Sequence, residues 1–179
     1  MGTLTGGHEN LDSSARQRLV SWGTTWNFVM DYPIMGGSFR SLPNVDLFQR
    51  YQPEPLPEGF LSSGPHSIYF QTLGEQGFVG LALYLLLIAS CIFSLRHLRR
   101  GARIVSSTNW VMTYADIIEA SFAGFLVSGA FLGLADFDLF FQLIACTIIL
   151  KILWRREVAL QTSLAQVRVP ELAESGATV

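Results

Sequence analysis

Charge is scarce in this chain of 179 residues: 15% of it is Asp, Glu, Lys or Arg, and the net charge is −2. That balance excludes the basic face by which a protein tracks a nucleic-acid backbone, so no nucleic-acid partner is expected. Cysteine is equally scarce, with only Cys91 and Cys146. Both sit in apolar runs without CxxC spacing or a neighbouring ligand cluster, which argues against a disulfide framework or a zinc site and favours small buried apolar residues. Residues Met1 to Asp12 have neither a basic n-region nor an apolar stretch, so they do not read as a secretory signal peptide. Between Leu42 and Pro65 apolar periodicity is missing. Pro43, Pro53, Pro55, Pro57 and Pro65 interrupt that stretch, which reads as an irregular excursion.

Apolar residues make up half of the chain, and they are concentrated after Gly77. The run FVGLALYLLLIASCIFSL, Phe78 to Leu95, is uncharged and close to the roughly 20 residues needed to cross a hydrocarbon core. A second run, Ile117 to Ala135, carries Gly124, Gly129 and Gly133, small residues that suit close helix packing. A third, Leu139 to Trp154, is short but extensible, because Lys151 can snorkel to the interface. Asp136-Phe-Asp138 alone would separate the last two, making a tight hairpin. The expected fold is therefore an all-α integral membrane protein in three parts: an outer segment 1–76, three spans at 78–95, 117–135 and 139–154, and a tail 157–179.

Lysine and arginine in short loops set the orientation. Arg96, Arg99, Arg100 and Arg103 follow the first run, and Lys151, Arg155 and Arg156 close the third, whereas the acidic turn at 136–138 has no basic residue. The basic ends are expected on the cytoplasmic side, and residues 1–76 on the other. The tail after Val158 is polar and weakly patterned, read as disordered or loosely helical.

Within the outer segment, Asp12-Ser13-Ser14 reads as a helix N-cap, with Leu19, Trp22, Trp26 and Val29 or Met30 behind it as an apolar stripe. Asp31-Tyr-Pro33 ends that helix, because the residue before proline is steered out of the α region. A stripe so rich in tryptophan suits the membrane interface or docking on other spans. Gly36-Gly37 opens a loop. Pro65 then suits a first helical turn, and His66, Tyr69, Phe70 and Leu73 are spaced as one face of a short helix, with Gly74 and Gly77 allowing a bend before the first span. Read alone, His66 fits interfacial packing or capping, and each arginine fits a solvated charge. Together, the proton-transfer group and the planar guanidinium donors of Arg16 and Arg18 fit chemistry on a lipid-linked phosphate.

In order along the chain, Arg18 with Trp22, Pro33 with Gly36-Gly37 and Phe39, the run HSIYFQTLGEQGFVGLALYLLL from His66, and FDLFF from Phe137 resemble the C-terminal region of the O-antigen ligase and polymerase superfamily. The similarity is nearest to the exosortase-associated O-glycosylation ligase branch, and it covers roughly Ser13 to Trp154. The resemblance implies a polytopic inner-membrane glycosyltransferase that moves a glycan from undecaprenyl diphosphate to the hydroxyl of an acceptor lipid, glycan or protein, without a metal or other cofactor. Arg18 would bind the diphosphate, with Arg16 a second candidate. His66 would orient or deprotonate the acceptor hydroxyl. Glu75 would hold or cap the histidine-bearing helix, Tyr69 would line the site or pack, and Arg40 and Arg50 would reach glycan or phosphate from the loop. Members of the family carry about a dozen spans, so the resemblance also implies further spans, as a separate chain or as sequence ahead of Met1. A related polymerase, or a non-catalytic membrane subunit or scaffold, is the competing expectation.

Overall fold

A computed structural model describes residues 6–54, 64–104, 109–133 and 138–175. All regular structure among these residues is α-helical: α1 (Gly6–Asp31), α2 (Val45–Tyr51), α3 (Ile68–Ala102), α4 (Asn109–Gly129) and α5 (Asp138–Ser175). The helices distribute over two compact units, one from 1–87 with 124–140 and the other from 88–123 with 141–179.

In the first unit α1 ends at Asp31, where Pro33 requires it to. Its start differs from expectation: the helix begins at Gly6, so Asp12 lies inside it and is not its cap. Once nucleated, a helix propagates through Asp and Ser at a cost of only some tenths of a kcal/mol each, and no proline stands in the way. The buried face also differs. Val20, Ser21, Thr24, Thr25, Phe28 and Val29 are buried, whereas Leu19, Trp26 and Met30 of the expected stripe are largely exposed. Thr24 and Thr25 are concealed because their hydroxyls donate to the carbonyls of Val20 and Ser21, at 2.8 and 2.9 Å. The exposed apolar stripe is what an interfacial helix presents to the membrane.

The stretch after Leu42 is not wholly irregular. Asn44 accepts the amides of Asp46 and Leu47 on its Oδ1, at 2.9 and 3.3 Å, and caps the short helix α2, which buries Phe48. Phe28, Val29, Leu42 and Leu73 form the core here, with Leu47 and Tyr51 of α2 packed on it. Residues 55–63, with Pro55 and Pro57, lie outside the described residues.

Helix α3 is interrupted at Gly77, whose φ of 68° and ψ of −170° only glycine adopts without strain. An unbroken helix would send the Phe78 amide to Gly74 and the Val79 amide to Glu75. Instead Phe78 donates to Pro33 O (2.8 Å), while the freed carbonyls of Gly74 and Glu75 accept from Gly37 and Ser38 (2.9 Å each). The Gly36-Gly37 loop thus seals the break, and Gly36, at φ 63°, fits only because it lacks a Cβ that would meet Gly74 O at 2.6 Å. The expected bend is present, and its backbone groups are satisfied by the loop.

In the second unit, α4 runs antiparallel to α3: Arg99 pairs with Asp116 (2.6 Å) and Glu119 (2.7 Å), and Arg96 with Glu119 (2.9 Å). α5 lies beside α3 in the same direction, with Cys91 in hydrogen-bond contact with Thr147 and Trp154 packed on Gly101. Cys91 is buried, whereas Cys146 is on the exposed side of α5, against the expectation that both are buried.

Among the described residues two helices, α3 and α4, are long and apolar enough to cross a membrane. α4 corrects the expected second run: it starts at Asn109 and ends at Gly129, so Ile117 lies well inside it. Asp116 and Glu119, on either side of the expected start, are paired within α4 by arginines of α3. The connection to α5 begins at Ala130, longer than a three-residue turn, and residues 134–137 lie outside the described residues. α5 is longer than expected and continues through the presumed tail to Ser175. Its uncharged apolar stretch spans only 139–150, between Asp138 and Lys151.

Candidate functional site

Trp22 organises the neighbourhood of the expected site. Its indole stacks on Phe70 of α3, with centroids 5.1 Å apart and rings 6° from parallel. Its Nε1–H donates to the carbonyl of Pro65 at 2.6 Å. Pro65 is buried and His66 follows it, so this bond anchors the peptide that carries the histidine. Arg18 is one helical turn before Trp22 on the same face of α1 and is partly buried. The Trp22–Pro65 bond thus ties the part of α1 that carries Arg18 to the peptide just before His66.

His66 itself is a correction. It is not on the face of a helix, because α3 begins at Ile68. The buried Ser67 precedes the helix and its carbonyl accepts the amide of Gln71 at 2.8 Å, as an N-cap residue's does. His66 lies just outside, exposed, with φ 44°, a left-handed conformation uncommon for a residue with a side chain. Such geometry persists only where the surroundings hold it, and the bonds on either side, at Pro65 O and Ser67 O, do so. Leaving the helix early turns the imidazole outward.

Arg16 takes a different direction. It lies roughly 200° around α1 from Arg18 and pairs with Glu54 at 3.2 Å, both side chains being exposed. Glu75 is buried and accepts the amide of Arg40 on Oε1 at 3.1 Å, which fastens the glycine loop to α3. Tyr69 donates its hydroxyl to Leu126 O at 3.1 Å, a packing role that joins α3 to the end of α4.

A groove of about 920 Å³ opens in the same unit, between the 32–39 loop, α2 and the α3 residues 75–83. Its walls are mainly apolar, with Phe28, Met35, Val79 and Leu83 prominent, and Arg50, Asp46 and Glu75 contribute charge. Arg50 stacks over the Tyr51 ring at 5.7 Å. Tyr51 donates to Asp31 Oδ2 at 2.8 Å, and that bond pushes its hydroxyl pKa above the ordinary value. Neither His66 nor Arg18 lines this groove. Sequence reasoning missed it because α2 was missed, although Pro43-Asn44 followed by Asp46 is a legible capping signal.

Residues 2–85 match the family model described as O-Antigen ligase, 84 of 179 residues and just under half of the chain. The matched stretch contains Arg16, Arg18, His66, Tyr69 and Glu75. No curated protein and no solved structure matches the chain. The match supports the resemblance to the O-antigen ligase superfamily and a membrane function of the glycan ligase or polymerase type. Together with the two apolar helices it marks a membrane protein.

Proposed function

We propose that the chain serves glycan transfer from undecaprenyl diphosphate to an acceptor hydroxyl at the periplasmic face of the bacterial inner membrane, as in the exosortase-associated O-glycosylation ligase branch. The observation that carries this reading is the Trp22–Pro65 bond, which joins the Arg18 turn of α1 to the exposed His66. In this reading Arg18 grips the diphosphate with its planar donors and offsets the charge that grows as the sugar–phosphate bond breaks. His66 accepts the proton of the acceptor hydroxyl as the new glycosidic bond forms. Arg16 would be drawn from Glu54 to a second phosphate oxygen. Glu75 and Tyr69 act from behind, holding the loop and the packing of α3.

The topology we propose has residues 1–76 in the periplasm, α3, α4 and α5 as three successive spans, and residues 157–179 in the cytoplasm. The same-direction packing of α3 and α5 supports it, since two spans separated by one other run the same way. Both helices then place arginine and lysine at the same end.

In native membranes containing the protein, Arg18→Ala and His66→Ala are expected to abolish glycan transfer with membrane expression intact. Wild-type transfer by both variants would sink the site assignment. If removing the whole chain abolishes transfer while both variants retain it, the chain is instead a non-catalytic subunit. Addition of one preassembled glycan per acceptor distinguishes a ligase from a polymerase, which extends chains.

A further inference from the structure

The second unit contains a pocket that glycan transfer does not use. It has a volume of about 360 Å³ and lies between α3 and α5, lined by Phe93, Ser94, His97 and Leu98 on one side and Lys151, Trp154 and Arg155 on the other. Its ionisable side chains are all basic types, and no carboxylate lines it. Asp116 and Glu119 are held by Arg96 and Arg99, and Glu157 accepts from Gln161, so Lys151 and Arg155 have no ion pair among the described residues. Trp154 walls the pocket with its indole. Gly101 makes room for that indole, since a Cβ there would meet Trp154 Cζ2 at 2.5 Å.

The level of the pocket identifies the ligand. The apolar run of α3 ends at Leu95 and that of α5 at Leu150, so the pocket lies where both helices leave the hydrocarbon and meet the headgroups. Phe93, on the apolar side, is largely exposed and can lie along an acyl chain. Lys151 and Arg155 lie one turn apart on α5 with Trp154 between them, and present two cations to a single anion. Basic pockets between spanning helices recognise phosphate headgroups in this way.

We propose that this pocket binds the phosphate of an anionic membrane phospholipid, held by Lys151 and Arg155 beside the wall of Trp154. The proposal rests on α5 spanning the membrane, as in the reading above, and not on the assignment of Arg18 or His66.

The test reconstitutes the full chain into vesicles of mixed phosphatidylcholine and phosphatidylglycerol and counts lipids retained on the extracted protein by native mass spectrometry. Phosphatidylglycerol is expected to be retained over phosphatidylcholine. Lys151→Gln with Arg155→Gln should lower that preference about tenfold or more, as loss of two cations at the headgroup level predicts. Arg100→Gln with Arg103→Gln removes the same charge outside the pocket and should change it less than about twofold. Equal losses in the two double variants would mean general attraction to a negative surface and overturn the site. Displacement of the lipid by inorganic phosphate at millimolar concentration would assign the pocket to a free anion and overturn the lipid. Exposed Cys146 checks the premise separately: a membrane-impermeant maleimide should label it only after detergent is added. Labelling in intact vesicles refutes the membrane placement of α5. Protected Cys146 with unchanged lipid retention in the pocket variant refutes the lipid site alone.

Discussion

Replacing Trp22 by Phe tests whether His66 is positioned or merely present. The substitution keeps an aromatic ring on Phe70, a pair whose geometry contributes about 0.5–1.5 kcal/mol, but it deletes the donor to Pro65 O. A buried carbonyl left without a partner costs about 1–3 kcal/mol. His66 at φ 44° stores roughly 1–2 kcal/mol of backbone strain, which the anchored Pro65 peptide helps to hold. Once that anchor is lost, the strain favours relaxation to negative φ, and each 1.36 kcal/mol lowers the productive population about tenfold. The expected result is a fall of about 10–30-fold in kcat for glycan transfer, with the KM for the lipid-linked donor within about threefold, because only the geometry of the reacting group has changed. Trp26→Phe is the comparator. Trp26 is 48% exposed and makes an edge contact with Phe78, so this variant should transfer within about twofold of wild type. The assay is steady-state transfer in membranes, normalised to folded protein by size exclusion. A Trp22→Phe variant as active as wild type would refute the positioning argument.

Other variants test the scaffold. Gly77→Ala introduces a Cβ against Ile34 O and within 2.7 Å of Pro33 O, at a φ and ψ that alanine resists. Strain plus the displaced Phe78–Pro33 bond should cost about 3 kcal/mol or more, visible as a large fall in the thermal transition in detergent; an unchanged transition would mean that the break in α3 is not native. Glu75→Gln keeps an acceptor for Arg40 N but loses the charge, and is expected to cost about 1 kcal/mol, against about 2–3 kcal/mol for Glu75→Ala. A neutral Glu75→Ala variant in the same melt would remove the loop-fastening role given to Glu75.

The amino-acid sequence alone determined where apolar runs lie, where α1 must stop and where α3 can bend. Pro33 acts through local sterics that do not depend on partners, whereas Gly77 permits a break whose backbone groups the 33–38 loop satisfies. The order of Arg18, Trp22, Pro33 and His66 was legible in the same way, and it carried the family resemblance. The tertiary structure decided what depends on a partner distant in the chain. Thr25 lies on the buried face of α1 with its methyl against Gly74 of α3, while Leu19 and Trp26 stay outside. Asp116 and Glu119 belong to a helix that starts at Asn109 because two arginines of α3 pair with them. His66 leaves the helix that its spacing suggested, since Trp22 holds the peptide ahead of it. Lys151, Trp154 and Arg155 become a pocket only when α5 lies against α3. Hydropathy and spacing report what a residue prefers when considered singly; desolvation and hydrogen bonding depend on the neighbour, and folding supplies the neighbour.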